Sequence, residues 1–70
     1  MMPLTMLKSG ESGKILKIGG QEEVKNFLGK LGFVVGEEVS VVSSQSGNII
    51  VQVKDSRVAV SKVIANKIMI

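Results

Sequence analysis

The sequence predicts a mainly β fold: a small barrel of about five strands, with one short helix after the first strand and a helical turn near the C-terminus. Three observations lead there. Hydrophobic residues make up 44% of the 70 residues and are almost wholly Val, Ile, Leu and Met, a stock rich in the branched side chains that strands favour. Eight glycines fall mostly where the hydrophobic period changes, and so cut the chain into short elements. One stretch alone, Gln21 to Leu31, repeats its apolar residues with a helical period.

Taken in order, Met1 to Leu7 is an apolar lead segment in which Leu4 and Leu7 cover one end of the core, with Pro3 tolerable at a strand edge. Gly13 to Ile18, reading GKILKI, is the first full strand. Its inward residues, Ile15 and Ile18, are three apart where strict alternation allows two or four, so the strand must bulge or bend. Val24, Phe27, Leu28 and Leu31 then fall at i, i+3, i+4 and i+7, one helical stripe that would place Phe27 in the core. Glu22 and Glu23 suit the first turn of that helix and Lys30 the last, while Gly32 is placed to take the left-handed conformation that ends it. Gly29 inside the last turn costs up to about 1 kcal/mol against Ala. Its presence implies a close approach, by a neighbouring strand in the first place and by a partner in the second.

Past a turn at Gly36, Glu38 to Val42 is a strand with Val39 and Val41 on one face, and the loop Gln45 to Gly47 returns the chain into Ile49, Val51 and Val53. A tight polar turn, Lys54 to Arg57, leads into a third strand, Arg57 to Val60. Ser61 caps a helical turn through Asn66, and Ile68 to Ile70 closes the chain as a last strand. The order fits a small SH3-like barrel filling residues 1–70 as one domain.

The composition excludes much chemistry. With no Cys and no His, the chain has no disulfides, no thiolate or imidazole ligands and no nucleophile–base pairs built on those groups. A reducing, cytoplasmic location is expected, since no apolar run approaches the ~20 residues of a membrane span and no charged leader precedes an apolar segment. The six carboxylates fall in turns or on the polar helix face, and no third ligand joins Glu22-Glu23 or Glu37-Glu38, so neither acid catalysis nor a metal site is expected. Gly19-Gly20 before the helix lacks the spacing of a phosphate-binding loop and reads as a capping turn.

Net charge is +3 and the isoelectric point about 9.5, a mild excess. Lys14, Lys17, Lys25 and Lys30 could form a basic face for phosphates. Single-stranded nucleic acid also wants stacking platforms, however, and the only rings are Phe27, expected inside, and Phe33; no nucleic-acid partner is expected. The same lack of aromatics argues against a groove for Pro-rich peptides. What remains is binding, not catalysis, with no cofactor called for. Phe33, Val34 and Val35 form three consecutive large apolar residues in a short connection after the helix, and only part of that run can point inward. With Leu28 bordering it and Gly29 allowing close approach, Leu28, Gly29, Phe33, Val34 and Val35 are the predicted partner-binding residues.

The runs LKSGESGKILKIGG, FLGKLGFVVGEEV, GNIIVQV and RVAVSKVIANKIMI together resemble the FeoA family over nearly the whole chain. The agreement lies in Gly10, Gly13, Leu28, Leu31, Gly32, Gly36, Ala65 and Ile68. The chain departs from the family pattern at Phe27, where arginine is common, at Val35, where proline is usual, and at Gly47-Asn48, where Gly-Asp-Pro is frequent. The resemblance implies an SH3-like accessory protein of bacterial ferrous iron uptake that binds FeoB, a membrane transporter with a GTPase domain, from the cytoplasmic side and modulates it. Weak self-association through a strand edge is compatible with this expectation. Two other readings stay open: a regulatory module akin to the terminal domain of iron-dependent repressors, and a nucleic-acid accessory module using the four lysines.

Overall fold

In the computed structural model, which describes all of residues 1–70, the first predicted strand is two strands. β1 (Ser12–Lys14) and β2 (Lys17–Ile18) are separated by the bend that the spacing of Ile15 and Ile18 requires. Ile15 is fully buried there, and Leu16 beside it is exposed. β1 pairs antiparallel with β3 (Glu38–Ser44), while β2 pairs antiparallel with β6 (Ile68–Met69). β4 (Asn48–Val53) and β5 (Ser56–Ser61) complete a sheet of order β1-β3-β4-β5, and β2-β6 forms a second, two-stranded sheet. One bent segment thus belongs to both sheets, giving an open SH3-like barrel of six strands where about five were expected.

Alternation fills the core. Val39 and Val41 of β3, Ile49, Val51 and Val53 of β4 and Val60 of β5 are buried, and a bulge between Val41 and Ser43 shifts the β3–β4 register. The lead segment closes one side: Met2 and Ile70 exchange two backbone hydrogen bonds of 2.8 Å, Pro3 bridges Met69, and Leu4 opens a 3-10 turn (Leu4–Met6) fully buried. α2 (Lys62–Ala65) starts as expected, with Ser61 Oγ accepting from the Ile64 amide at 3.2 Å, and buries Ala65.

α1 (Glu22–Leu31) follows β2, and its end is fixed by two bonds. Gly32, at φ 106°, donates its amide to the Gly29 carbonyl at 3.0 Å, and Phe33 donates to the Leu28 carbonyl at 2.9 Å. This is the Schellman arrangement, which brings the residue two past the helix onto the residue five before it. It accounts for the joint burial of Phe33 and Leu28.

The helical stripe is narrower than its spacing suggested. Leu28 is buried and Val24 and Leu31 are half-buried, whereas Phe27 is 49% exposed. Phe27 lies roughly 100° round the helix from Leu28, so a helix flanking the sheets turns it outward.

Gly13 shows how closely the two sheets approach. A Cβ there would lie 3.0 Å from Ile70 Cδ1 and 3.3 Å from Ile70 Cβ, the latter too near the backbone to swing aside. Gly13→Val is therefore expected to lower the thermal midpoint by at least about 4 °C, the response of a small domain to roughly 1 kcal/mol of overpacking. Adding Ile70→Ala should recover part of that loss in circular-dichroism melts. Strictly additive effects would mean that the two residues do not meet.

Candidate docking surface

The structure divides the five predicted partner-binding residues. Leu28 is fully buried and Phe33 is 1% exposed, so both are core, and the expectation that they face a partner is corrected: the helix-ending bonds fold Phe33 back onto Leu28. Val34 is exposed and Val35 is 66% exposed. Gly29 is half-buried, yet a Cβ added there would have no heavy atom within 4 Å, so no strand approaches it, contrary to the reading of its sequence.

What the sequence missed is Leu16, 51% exposed. The Ile15 amide donates to the Glu37 carbonyl at 2.9 Å, and the Gly36 amide donates to the Ile15 carbonyl at 2.8 Å. The Val34 carbonyl accepts from the Glu37 amide at 3.0 Å, so the Val34–Glu37 turn is held rigidly against the bend. Leu16 follows Ile15 directly, so its backbone adjoins the turn that carries Val34 and Val35, and its own amide donates to the Met69 carbonyl at 2.8 Å. A signal was available: an inward Ile15 requires an outward residue 16, and that residue is leucine.

The flank of this turn is also fixed. The Lys54 stem lies 3.6 Å from the position a Gly32 Cβ would take, and its Nζ is 3.8 Å from Glu37 Oε1. At this exposure the ion pair adds little stability, and its effect is positional.

The other candidates also find their places. The exposed ring is Phe27 and the buried one Phe33, the reverse of the expectation, and one free platform remains. Lys14, Lys17, Lys25 and Lys30 are all exposed, but Lys14 stands in register opposite Glu38. Gly19 donates its amide to the Lys67 carbonyl at 2.7 Å, so that group is not free for a phosphate. No three carboxylates converge, and no pocket indents the surface. The arrangement leaves Leu16, Val34 and Val35 as exposed aliphatic side chains on hydrogen-bonded backbone.

Comparison with known proteins gives the fold a context. The FeoA domain family model matches residues 2–70. A candidate Fe(2+) transport protein A of Methanocaldococcus jannaschii is 31% identical over 70 residues, covering all of this chain and 85% of the relative. Crystalline Stenotrophomonas maltophilia FeoA in complex with zinc, described as a prokaryotic SH3 domain protein, superposes with a TM-score of 0.86 at 27% identity, covering 99% of this chain and 88% of that one. A manganese-dependent transcriptional repressor shares the fold, with a TM-score of 0.87 at 17% identity over 94% of this chain and 38% of its own.

Three substitutions separate core from surface. Leu28→Gln and Phe33→Asp each place a polar group in a packed site, a loss of at least about 3 kcal/mol, and should lower the thermal midpoint by ~12 °C or more. Gly29→Ala, with open space for its methyl, should raise the midpoint by several degrees through helix propensity, up to about 1 kcal/mol. A fall on Gly29→Ala would show that something does crowd that position.

Proposed function

Because this chain belongs to the FeoA family, we propose that it is an accessory protein of ferrous iron uptake that docks on the cytoplasmic side of a FeoB-type membrane GTPase transporter and modulates it without catalysing a step itself. Iron is then the transporter's cargo and no cofactor is needed. The archaeal relative that matches the whole chain supports the iron-transport part of this reading by its name.

The observation that carries the docking part is the junction of Leu16, Val34 and Val35. Three large aliphatic side chains stand outside the core on backbone that hydrogen bonds already hold in place. A partner covering them gains apolar burial of roughly 25 cal/mol per Å2 with little ordering of this chain to offset it. The proposed partner-binding set is accordingly Leu16, Val34 and Val35; Leu28 and Phe33 support it from beneath. No helix is long and apolar enough to cross a membrane, so in this reading the transporter holds the membrane position. A repressor-type module shares the fold alone and leaves the family match without a role.

The test is capture of the tagged protein by membranes containing the cognate transporter, with and without guanine nucleotide. Leu16→Asp and Val35→Asp should each reduce capture about tenfold, the effect of losing a central apolar contact, while the thermal midpoint stays within ~3 °C. Wild-type protein that is not captured, or variants captured equally well, would refute the proposal.

A further inference from the structure

The charges of this chain are segregated along its sequence. All six carboxylates, Glu11, Glu22, Glu23, Glu37, Glu38 and Asp55, lie between residues 11 and 55, where they face five lysines. Residues 1–10 and 56–70 carry Lys8, Arg57, Lys62 and Lys67 and no acidic side chain. The fold then brings those two terminal stretches together through the Met2–Ile70 bonds and the Pro3–Met69 bridge. The result places Lys62 and Lys67 on the stretch that meets the lead segment, whose Lys8 amide is bonded to Glu11 Oε1 at 2.7 Å, while Arg57 lies at the far end of β5 opposite Gln52.

The end where the two stretches meet exposes large apolar side chains. Thr5 Oγ1 donates to Asn66 Oδ1 at 3.0 Å, joining the 3-10 turn to the end of α2. Val63, three residues before Asn66 and so on the same side of that short helix, is 75% exposed, and Met6, next to Thr5, is 65% exposed. Lys62 and Lys67 adjoin Val63 and Asn66 in sequence. Lys67 runs its stem along Gly20, with Cδ 3.0 Å from the position a Cβ would take there.

We propose that this end, built on Met6, Val63, Lys62 and Lys67, is a contact surface for an anionic lipid bilayer. Apolar tips that enter the interface beside ammonium groups that meet lipid phosphates form the pattern of reversible interfacial binding. The inference does not rest on the transporter reading, because it concerns residues outside the Leu16–Val34–Val35 junction and a partner without protein.

The experiment is co-sedimentation of the full chain with protein-free vesicles, phosphatidylcholine alone against phosphatidylcholine with about one third phosphatidylglycerol. Binding should appear on the anionic vesicles only and decline from low to moderate salt. Lys62→Gln with Lys67→Gln should weaken it roughly tenfold, each lysine near the surface contributing a several-fold factor. Met6→Glu with Val63→Glu should abolish it. Thermal melts of both double variants check that the fold is kept; if the lysine pair destabilises through the lost Lys67 stem, Lys62→Gln with Val63→Glu leaves that stem intact and should also abolish binding. No sedimentation at low salt, equal binding to neutral vesicles, or folded variants that bind like wild type would each overturn the proposal. Retention on transporter membranes with indifference to these vesicles would also overturn it, while leaving the transporter reading intact.

Discussion

The main chain of Ile15 is the point on which this structure depends. Its amide and carbonyl are both bonded to the Val34–Glu37 turn, at 2.9 Å and 2.8 Å, at the position where one strand leaves the four-stranded sheet and enters the two-stranded one. A straight strand could pair with β3 or with β6 along its length, but could not turn from one sheet to the other. Bending at Ile15 would leave two backbone groups without ladder partners, and burying them unpaired would cost ~1–3 kcal/mol each. The turn after the helix supplies those partners. Barrel geometry, the path of the chain after α1 and the placement of Leu16 are therefore one arrangement.

Most of this was legible in the residues, and what was not has a physical cause. The bend could be read because Ile15 and Ile18 violate a period of two, and the β3–β4 core because Val39, Val41, Ile49, Val51 and Val53 obey it. The helix could be read from its stripe, but its orientation could not. A spacing of i, i+3, i+4 and i+7 defines an arc of apolar side chains and does not say which edge of the arc meets the sheets, so Phe27 was placed inside and lies outside. The site suffered from a different ambiguity. Phe33, Val34 and Val35 are equally apolar, and hydropathy cannot rank them for burial. The ranking comes from the two hydrogen bonds at Gly32 and Phe33, which turn the first residue of the run onto Leu28 and leave the next two outside. A left-handed glycine followed by a large apolar residue, five after another in the helix, is a pattern visible in sequence once that pair of bonds is considered.

The charge distribution has a small part in folding the chain, through the helix ends of α1 and the Glu11 carboxylate on the Lys8 amide. The single ion pair is exposed and long, and the core buries no polar or charged side chain. A small domain held by aliphatic packing and backbone hydrogen bonds leaves its ionisable groups free to be arranged for other reasons. Keeping acidic side chains out of residues 56–70 leaves Lys62 and Lys67, both half-buried, on the stretch that meets the N-terminal segment, without a stability cost comparable to that of a buried charge. This freedom is why charge on such a domain says more about what it meets than about how it stands.

Core and surface here alternate at the scale of single residues: Ile15 is inside and Leu16 outside, Phe33 inside and Val34 and Val35 outside. In a strand, a slip of one residue would exchange the two sets, taking the apolar surface into the barrel and turning core residues to solvent. The hydrogen bonds at Ile15 oppose that slip, as does the left-handed residue at the end of α1. The register that fills the core is thus the register that presents the surface, and neither can drift without the other. An aliphatic surface so fixed would lose little freedom on being covered, and in the docking proposal this offsets its small area.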